Sequence, residues 1–406
     1  MLVYVINKHG KPLMPCKPSK ARRLLKQKKA KVIKKEPFTI QLLYGSSNYK
    51  QEISLGIDCG SKMIRLSATT KAQELYSAEV ELRNDIVNLL STRKQYRKTR
   101  RSRLRYRKAR FQNRVKSKNK GWLAPSIENK INTHIKIIVD LHKILPITNI
   151  IVETASFDIQ KINNPDIEGK EYQEGNQLGF WNVREYVLFR DGHKCCVKGC
   201  KEKVLNVHHI ESRKTGGNTP NNLITICEKH HKQYHEGKLK LNLKRGESFR
   251  DATFMGIMRW TFYNRLKQIY PNVKNTYGYI TKNTRIVNEL PKEHRVDARC
   301  ISGNPSAKPL GYWYYIKQVR RHNRQIHKAK ILKGGKKKLN QAPYLVKGFR
   351  LFDKVEYNGQ IGFIFGRRTK GDFDIRTLDR KSISKSANYK KLKLINTRKS
   401  LLIERR

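Results

Sequence analysis

The sequence predicts an α/β protein with a split core, an arginine-rich helix, an inserted metal-binding module and a small C-terminal β unit. Acidic residues mark the core: Asp58 ends the strand-like ISLGID, Glu153 ends NIIVE, and Asp297 lies in EHRVDA. These acids are 95 and 144 residues apart, so they meet only if three segments assemble one core. A cysteine- and histidine-rich segment lies between the last two acids, which predicts an insertion into that core.

Composition indicates a polyanionic partner. The 406 residues carry a formal charge of +57, more than solubility requires. Binding to a membrane surface is the alternative, but no apolar run of about 18 residues could span a bilayer. The N-terminus lacks the features of a signal peptide. Four of seven cysteines lie within residues 195–227, which indicates a metal site in a reducing, cytoplasmic compartment.

The N-terminal segments predict short strands around one helix. VYVIN is strand-like, KPLMPCKPS is expected to turn, and ARRLLKQKK is expected to be a helix capped by Ser19. AKVIKK and FTIQLL follow as strands. Residues 51–70 then predict a hairpin, in which ISLGID and MIRLSATT are joined by a turn at Gly60.

Residues 93–114 contain twelve lysines and arginines in twenty-two positions and no acid. The stretch lacks proline and glycine, so it can form a helix of roughly 33 Å. Its cations repel one another unless phosphates lie beside them, although a solvated basic helix is the alternative. The candidate nucleic-acid-binding residues are Arg93, Arg97, Arg100, Arg101, Arg103, Arg105, Arg107, Arg110 and Arg114.

The remaining segments complete the predicted elements. Apolar spacing over residues 127–145 predicts an amphipathic helix that ends at Pro146. A polar linker is expected at 161–177 and a helix near 254–269. Alternating residues over 348–380 predict an antiparallel β unit, with turns at Asn358-Gly359 and Lys370-Gly371.

Two cysteine-containing pairs predict a structural metal site. Cys195-x4-Cys200 and Cys227-x2-His230 supply four ligands of the kind that hold a closed zinc site. Cys196 competes with Cys195 for the first ligand position.

The histidines between and after these pairs predict a hydrolytic site. His209 is the candidate general base, because a neutral imidazole accepts a proton near neutral pH. His208, His231 and His235 would hold one Mg²⁺-like ion against the scissile phosphate. Asn222 is expected to orient the His209 ring through a backbone or ring hydrogen bond. A zinc finger that binds without cutting is the alternative.

Residues 180–240 resemble HNH endonucleases with a ββα-metal fold. The segment departs from that pattern in having His230 where a fourth cysteine is commoner. His208 likewise stands where an aspartate often does.

The acidic segments resemble the three pieces of a RuvC nuclease, which has an RNase H-like fold. The resemblance implies that Asp58, Glu153 and Asp297 bind two divalent ions, Mg²⁺ or Mn²⁺, about 4 Å apart. It also implies that His294, one helical turn before Asp297, positions the attacking water.

The order of these parts along the chain is similar to that of the IscB family of transposon-encoded, RNA-guided nucleases. The resemblance implies a guide (omega) RNA and a double-stranded DNA target as partners, with the protein monomeric in a ribonucleoprotein and not bound to membrane. HNH would cut the guide-paired strand and RuvC the displaced strand. Its implied regions are an N-terminal PLMP domain (1–50), RuvC segments (51–82, 119–165, 246–305), the bridge helix (83–118), HNH (178–245) and a region contacting the guide and target-adjacent motif (306–406).

Two rival functions remain open. The chain could be an RNA-guided binding protein with idle nuclease sites, or a guide-free structure-specific or homing endonuclease. A discrete RNA that copurifies with the protein would favour an RNA-guided function over a guide-free endonuclease.

Overall fold

The computed structural model describes residues 1–47, 49–101, 121–154, 177–213, 216–246, 249–320 and 342–406. The chain falls into two compact units. Unit 1 comprises Met1–Ile86, Thr92–Ala155 and Met255–Arg406, and unit 2 comprises Val87–Ser91 and Ser156–Phe254. Unit 2 therefore interrupts the chain of unit 1. Each unit combines helices with β-sheet, so the predicted α/β class is confirmed.

A four-stranded sheet forms the N-terminal part of unit 1, in the order β2-β1-β4-β3. Its core contains Val5, Leu24 and Ile40. The elements are β1 Val3–Ile6, β2 Pro12–Cys16, α1 Pro18–Lys26, β3 Ala30–Lys34 and β4 Thr39–Leu42. The strands predicted for VYVIN, AKVIKK and FTIQLL are confirmed.

Two local predictions for this sheet are wrong. KPLMPCKPS, expected to turn, contains strand β2, which pairs with β1. Because β2 is an edge strand, its prolines can lack an N–H without breaking a second ladder. Ser19 does not cap α1: the N-cap is Lys17, which makes no side-chain hydrogen bond. Pro18 at the first helical position supplies the fixed φ that starts the helix.

A seven-stranded sheet forms the centre of unit 1, in the order β11-β8-β5-β6-β7-β12-β18. β5 and β6 are antiparallel, so the predicted hairpin is confirmed. On its other side β5 is parallel to β8. The strands are β5 Ser54–Cys59, β6 Met63–Thr69, β7 Glu74–Glu81, β8 Asn149–Glu153, β11 Val273–Thr276, β12 Tyr314–Gln318 and β18 Leu401–Arg405. Two strands from the region 306–406 thus belong to the same sheet as Asp58.

Helix α8 (His294–Ile301) packs against β5 and β6. A Cβ atom at Gly56 would lie 2.1 Å from the carbonyl oxygen of Ala298, so only glycine permits this approach. The close packing brings the helix that carries Asp297 onto the strand that carries Asp58. The other helices are α2 Ile86–Arg101, α3 Pro125–His142, α6 Arg250–Ile269 and α7 Gly278–Val287.

The predicted C-terminal β unit is confirmed as a five-stranded antiparallel sheet, in the order β16-β15-β14-β13-β17. Asn358 and Gly359 both have positive φ, as does Gly371, so the predicted turn positions are confirmed. The strands are β13 Lys354–Tyr357, β14 Gln360–Arg367, β15 Asp372–Arg376, β16 Ser382–Asn388 and β17 Leu392–Asn396.

Unit 2 contains a β-hairpin followed directly by a helix. β9 and β10 are antiparallel, with His208 opposite Ile224 and His209 opposite Leu223. Its core is small, and the buried residues of one cluster are Cys195, Ile226 and Cys227. The elements are α4 Val183–Arg190, β9 Leu205–His209, a 3₁₀ turn Pro220–Asn222, β10 Leu223–Cys227 and α5 Glu228–His235.

Candidate metal centres

Three groups of potential ligands occur in the described residues. The cysteine centre consists of Cys195, Cys200, Cys227 and His230, and the histidine centre of His208, His231 and His235. Within each of these two groups, one ligand atom per residue lies within 4.8 Å of all the others. The acid centre consists of Asp58, Glu153 and Asp297, whose carboxylates do not form such a group.

The cysteine centre has the dimensions of a tetrahedral zinc site. Cys200 Sγ lies 3.8 Å from Cys227 Sγ, and His230 Nδ1 lies 3.6 Å from Cys195 Sγ and 3.2 Å from Cys227 Sγ. A tetrahedral zinc ion separates sulfur and nitrogen ligands by roughly 3.5 to 3.8 Å. Cys227 ends β10 and is the N-cap of α5, so the first turn of the helix places His230 beside it.

The structure chooses between the two candidate cysteines of the first pair. Cys195 belongs to the cysteine centre, whereas the backbone N–H of Cys196 donates to Thr225 O at 2.9 Å. Burial raises the pKa of the Cys196 thiol to about 11. Burial also acts on Cys195, but hydrogen bonds from the backbone of Val197 and Cys227 outweigh it and lower that pKa. Because the thiolate is the ligand, Cys195 is the better donor.

The histidine centre forms where β9 faces α5. His231 and His235 are one turn apart on α5, and their Nε2 atoms are 3.2 Å apart. The His208 ring lies 5.2 Å from the His231 ring and 5.1 Å from the His235 ring, measured between centroids. Nitrogen atoms around one metal ion are separated by roughly 3.0 to 3.4 Å, so the pair on α5 is spaced for a shared ion.

Burial and mutual repulsion favour the neutral form of two rings of this centre, His208 and His231. Burial, and then repulsion from His231 and His235, lower the pKa of His208 to about 4. Burial and His235 also lower the pKa of His231. A depressed pKa leaves the imidazole neutral at physiological pH, and the neutral ring is the metal ligand. Three imidazoles suit a transition-metal ion better than Mg²⁺, which prefers oxygen.

His209 lies on the opposite face of β9 from His208, because side chains alternate along a strand. Its Nε2 pairs with Asn218 Oδ1 at 3.0 Å. The expected hydrogen bond from Asn222 to this ring is not found. Asn222 is instead fully buried, accepts from the backbone N–H of Glu211 and donates to the carbonyls of Glu211 and Gly217. Asn222 thus holds the loop that carries Asn218.

The acid centre joins β5, β8 and α8. Asp58 and Glu153 are paired residues of parallel strands, and Asp297 lies in the first turn of α8. Glu153 and Asp297 are near enough to Asp58 for their charges to affect one another. The sheet and the packing of α8 therefore bring together three acids from distant segments. His294, at the start of α8, is exposed and influences the charge of Asp58.

Each carboxylate of the acid centre already has a partner. Arg65 Nη1 lies 3.3 Å from Asp58 Oδ2, and Arg285 Nη1 lies 2.9 Å from Asp297 Oδ1. The Thr281 hydroxyl donates to Glu153 Oε2 at 2.6 Å.

Burial raises the pKa of two acids of the centre. For Asp58 the guanidinium of Arg65 partly opposes this effect. For Glu153 the hydrogen bond from Thr281 opposes it. Binding cations here would lower the cost of keeping these carboxylates ionised.

The arginine-rich stretch is only partly described. Arg93 is exposed and lies in α2, which also contains the backbone of Arg97, Arg100 and Arg101, so the helix prediction is confirmed as far as residue 101. Arg103, Arg105, Arg107, Arg110 and Arg114 lie outside the described residues, as does nearly all of the predicted linker 161–177. Among the helices that are described, none is long and apolar enough to cross a membrane.

The fold and the three centres define an α/β protein with several candidate metal sites. Residues 3–175, less than half of the chain, match the family model described as "RRXRR protein". A comparison with curated proteins gave no match.

One similar solved structure is the crystal structure of Streptococcus thermophilus Cas9 in complex with the AGAA PAM, at 13% sequence identity and a TM-score of 0.32. The alignment covers 53% of this chain and 31% of the Cas9 chain. A likeness of this strength does not establish a shared fold.

Proposed function

We propose that the chain is an RNA-guided DNA endonuclease of the IscB type with two metal-dependent sites. In this proposal the histidine centre serves an HNH site that cuts the guide-paired strand. The acid centre serves a RuvC site that cuts the displaced strand. The observation that carries the proposal is the histidine centre: three histidines whose ring nitrogens are gathered in one group, with His209 next to His208 on the same strand.

At the histidine centre, His209 takes the proton from the attacking water. Asn218 holds the His209 ring, and the loop tied by Asn222 holds Asn218. His208, His231 and His235 would hold a divalent ion, which would supply charge neutralisation at the scissile phosphate. Of the expected Mg²⁺ and Mn²⁺, the imidazoles favour Mn²⁺.

At the acid centre, Asp58, Glu153 and Asp297 supply oxygen ligands that suit Mg²⁺ or Mn²⁺. Arg65 and Arg285 would then turn from Asp58 and Asp297 toward the phosphates of the bound strand. His294 is exposed at the start of α8, where it can contact a water molecule. The cysteine centre, by contrast, has no open ligand position and is assigned a structural zinc ion.

Nucleic acid partners follow from charge. The net charge of +57 and the acid-free stretch 93–114 suit a guide RNA and its DNA target. In RNA-guided recognition, base pairing reads the sequence while the protein contacts the backbone. The resemblance to IscB supports the guide RNA, a monomeric ribonucleoprotein and a target-adjacent motif read by the C-terminal sheet.

The test measures each strand separately. A target duplex labelled at both 5′ ends is incubated with the guide ribonucleoprotein and Mn²⁺ or Mg²⁺. Asp58→Asn should cut only the guide-paired strand, and His209→Ala only the displaced strand. The rate of cutting should fall by a hundredfold or more for the displaced strand in Asp58→Asn and for the guide-paired strand in His209→Ala. The reason is that several kcal/mol of transition-state stabilisation are lost at the altered site. Asp85→Asn and His9→Ala, at exposed residues, are the matched controls.

Double-strand cutting by either active-site variant at the wild-type rate would contradict the two-site proposal. Purification without a discrete RNA, together with cutting of branched DNA, would favour a guide-free structure-specific nuclease.

A second candidate function for the acid centre has one observation in its favour. Asp58 and Asp297 are paired with arginines, and the three carboxylates are not gathered within 4.8 Å. A centre neutralised in this way could bind DNA without cutting it. In that case the wild-type protein would nick only the guide-paired strand at every Mn²⁺ concentration.

A further inference from the structure

We propose that Tyr277 and Tyr279 form a stacking surface for unpaired bases of a single DNA strand at the acid centre. This inference rests on the proposed function, because it assigns the surface to the strand that the acid centre would cut. The occupant is single-stranded DNA, since base stacking needs bases that are free of a duplex.

The two tyrosines present parallel, accessible rings. Their planes differ by 7° and their centroids are 6.1 Å apart. Tyr277 is 40% exposed and Tyr279 is 66% exposed, so both residues are partly accessible to a ligand. Neighbouring exposed aromatic rings are the usual platform on which successive bases of a single strand stack.

The backbone between the two tyrosines touches the acid centre. A Cβ atom added at Gly278 would lie 3.3 Å from Glu153 Oε1. Further along α7, Thr281 donates to Glu153 and Arg285 contacts Asp297. The same short segment therefore carries both rings and two of the groups that hold the carboxylates. A base stacked on Tyr277 or Tyr279 would bring its own phosphate close to Glu153.

Charge around the rings favours a polyanion over an apolar protein partner. Residues 272–288 contain Lys274, Lys282 and Arg285 and no acid. Lys274 and Lys282 are both exposed. Lysines beside aromatic rings are the combination that binds single strands without sequence preference: the cations contact phosphates and the rings contact bases.

The test uses the full chain, with Asp58→Asn added to prevent cutting, and a short single-stranded DNA containing 2-aminopurine. Stacking on tyrosine quenches this fluorescent base. Tyr277→Ala and Tyr279→Ala should each reduce the quenching at saturating DNA and weaken binding by roughly tenfold. Tyr277→Phe and Tyr279→Phe should behave as wild type, because stacking needs the ring and not the hydroxyl. Tyr49→Ala, which removes a tyrosine that is 74% exposed, is the matched control.

Unchanged quenching in both alanine variants would overturn the proposal, as would loss of quenching in the phenylalanine variants. Equal binding and quenching of a matching RNA would also overturn the assignment to DNA. The readout needs neither guide nor cleavage, so it stands or falls separately from the nuclease activity. If the protein with Asp58 intact does cut the displaced strand, the alanine variants should slow that cut and leave the guide-paired strand unaffected.

Discussion

The histidine centre and the acid centre differ in how far their ligands are assembled before any ion binds. The ligands of the histidine centre come from one hairpin and the following helix, and their atoms already lie within 4.8 Å of one another. The ligands of the acid centre come from three distant segments, and each is held by an arginine or a threonine. A local site can be assembled by sequence spacing, whereas a long-range site depends on the surrounding sheet.

The same contrast extends to what stabilises the two units. Unit 1 has a large apolar core, in which Ile57, Leu66 and Ile131 are fully buried. Around the cysteine centre, unit 2 buries mainly Cys195, Ile226 and Cys227. We therefore expect metal to stabilise unit 2 and apolar packing to stabilise unit 1.

The largest expected effect is the loss of the zinc ion. Metal binding of this kind contributes roughly 10 kcal/mol or more to the folding of small modules. Cys200→Ser, or a strong chelator, should therefore unfold residues 177–246 and leave the sheet of unit 1 folded. Hydrogen exchange measured by mass spectrometry would compare peptides from β9 and β10 with peptides from β5 and β6.

Cys196→Ser is the matched control, because Cys196 is adjacent to the cysteine centre but outside it. It should keep its zinc and its protection from exchange. Purified wild-type protein without stoichiometric zinc would contradict the assignment.

A smaller effect is expected in the stability of unit 1 at acid pH. His134 is buried against Phe262; Nδ1 donates to the carbonyl of Lys130, and Nε2 has no hydrogen-bond partner. Burial lowers the pKa of His134 to about 4. Between pH 6.5 and about 4 the unfolded chain takes up a proton that the folded chain does not. The free energy of unfolding of unit 1 should fall across this window by up to about 3 kcal/mol.

Urea denaturation at several pH values would measure that change. His134→Leu should flatten the pH dependence, because the titrating group is removed. His9→Leu, at an exposed histidine, should keep the wild-type slope. An identical slope in the His134 variant would show that other groups control acid stability.

The smallest expected effect concerns the ion pair between Arg65 and Asp58 at the acid centre. Arg65→Met removes a cation that competes with metal for Asp58, at a site where both side chains are less than one-fifth exposed. The Mn²⁺ concentration needed for half-maximal cutting of the displaced strand should fall by about two- to fivefold. Arg83→Met, which breaks the ion pair with Asp85, is the control. An unchanged or higher Mn²⁺ requirement would show that Arg65 does not compete with the ion for Asp58.

Local patterns and the meeting of the three acids could be predicted from the sequence, but the side chains that hold those acids, Arg65, Thr281 and Arg285, could not. The spacing of Cys195, Cys200, Cys227 and His230 predicted a group that the structure assembles. It could not separate Cys195 from Cys196, because burial and backbone hydrogen bonds make that choice. The role of Asn218 was not predicted, because its contact with His209 depends on the path of a loop.

The elements absent from the predictions lack strong local signals. Residues 272–285 are polar, yet they contain β11 and most of α7, because β11 pairs with β8. β12 likewise depends on pairing with β7, and β18 depends on pairing with β12. Thr281 and Arg285, which hold two of the three acids, lie in this unpredicted segment. The arginine-rich stretch beyond residue 101 stays a prediction.

The interruption of unit 1 by unit 2 has a consequence for synthesis on the ribosome. Asp58 and Glu153 are translated before residues 177–254, and Asp297 is translated after them. At about 5 to 20 residues per second, Asp297 follows Asp58 by on the order of ten to fifty seconds. During that interval the module that carries the cysteine centre can fold, while the acid centre still lacks one of its three carboxylates. A nascent chain therefore acquires its two candidate cutting sites in sequence, and the acid centre is completed second.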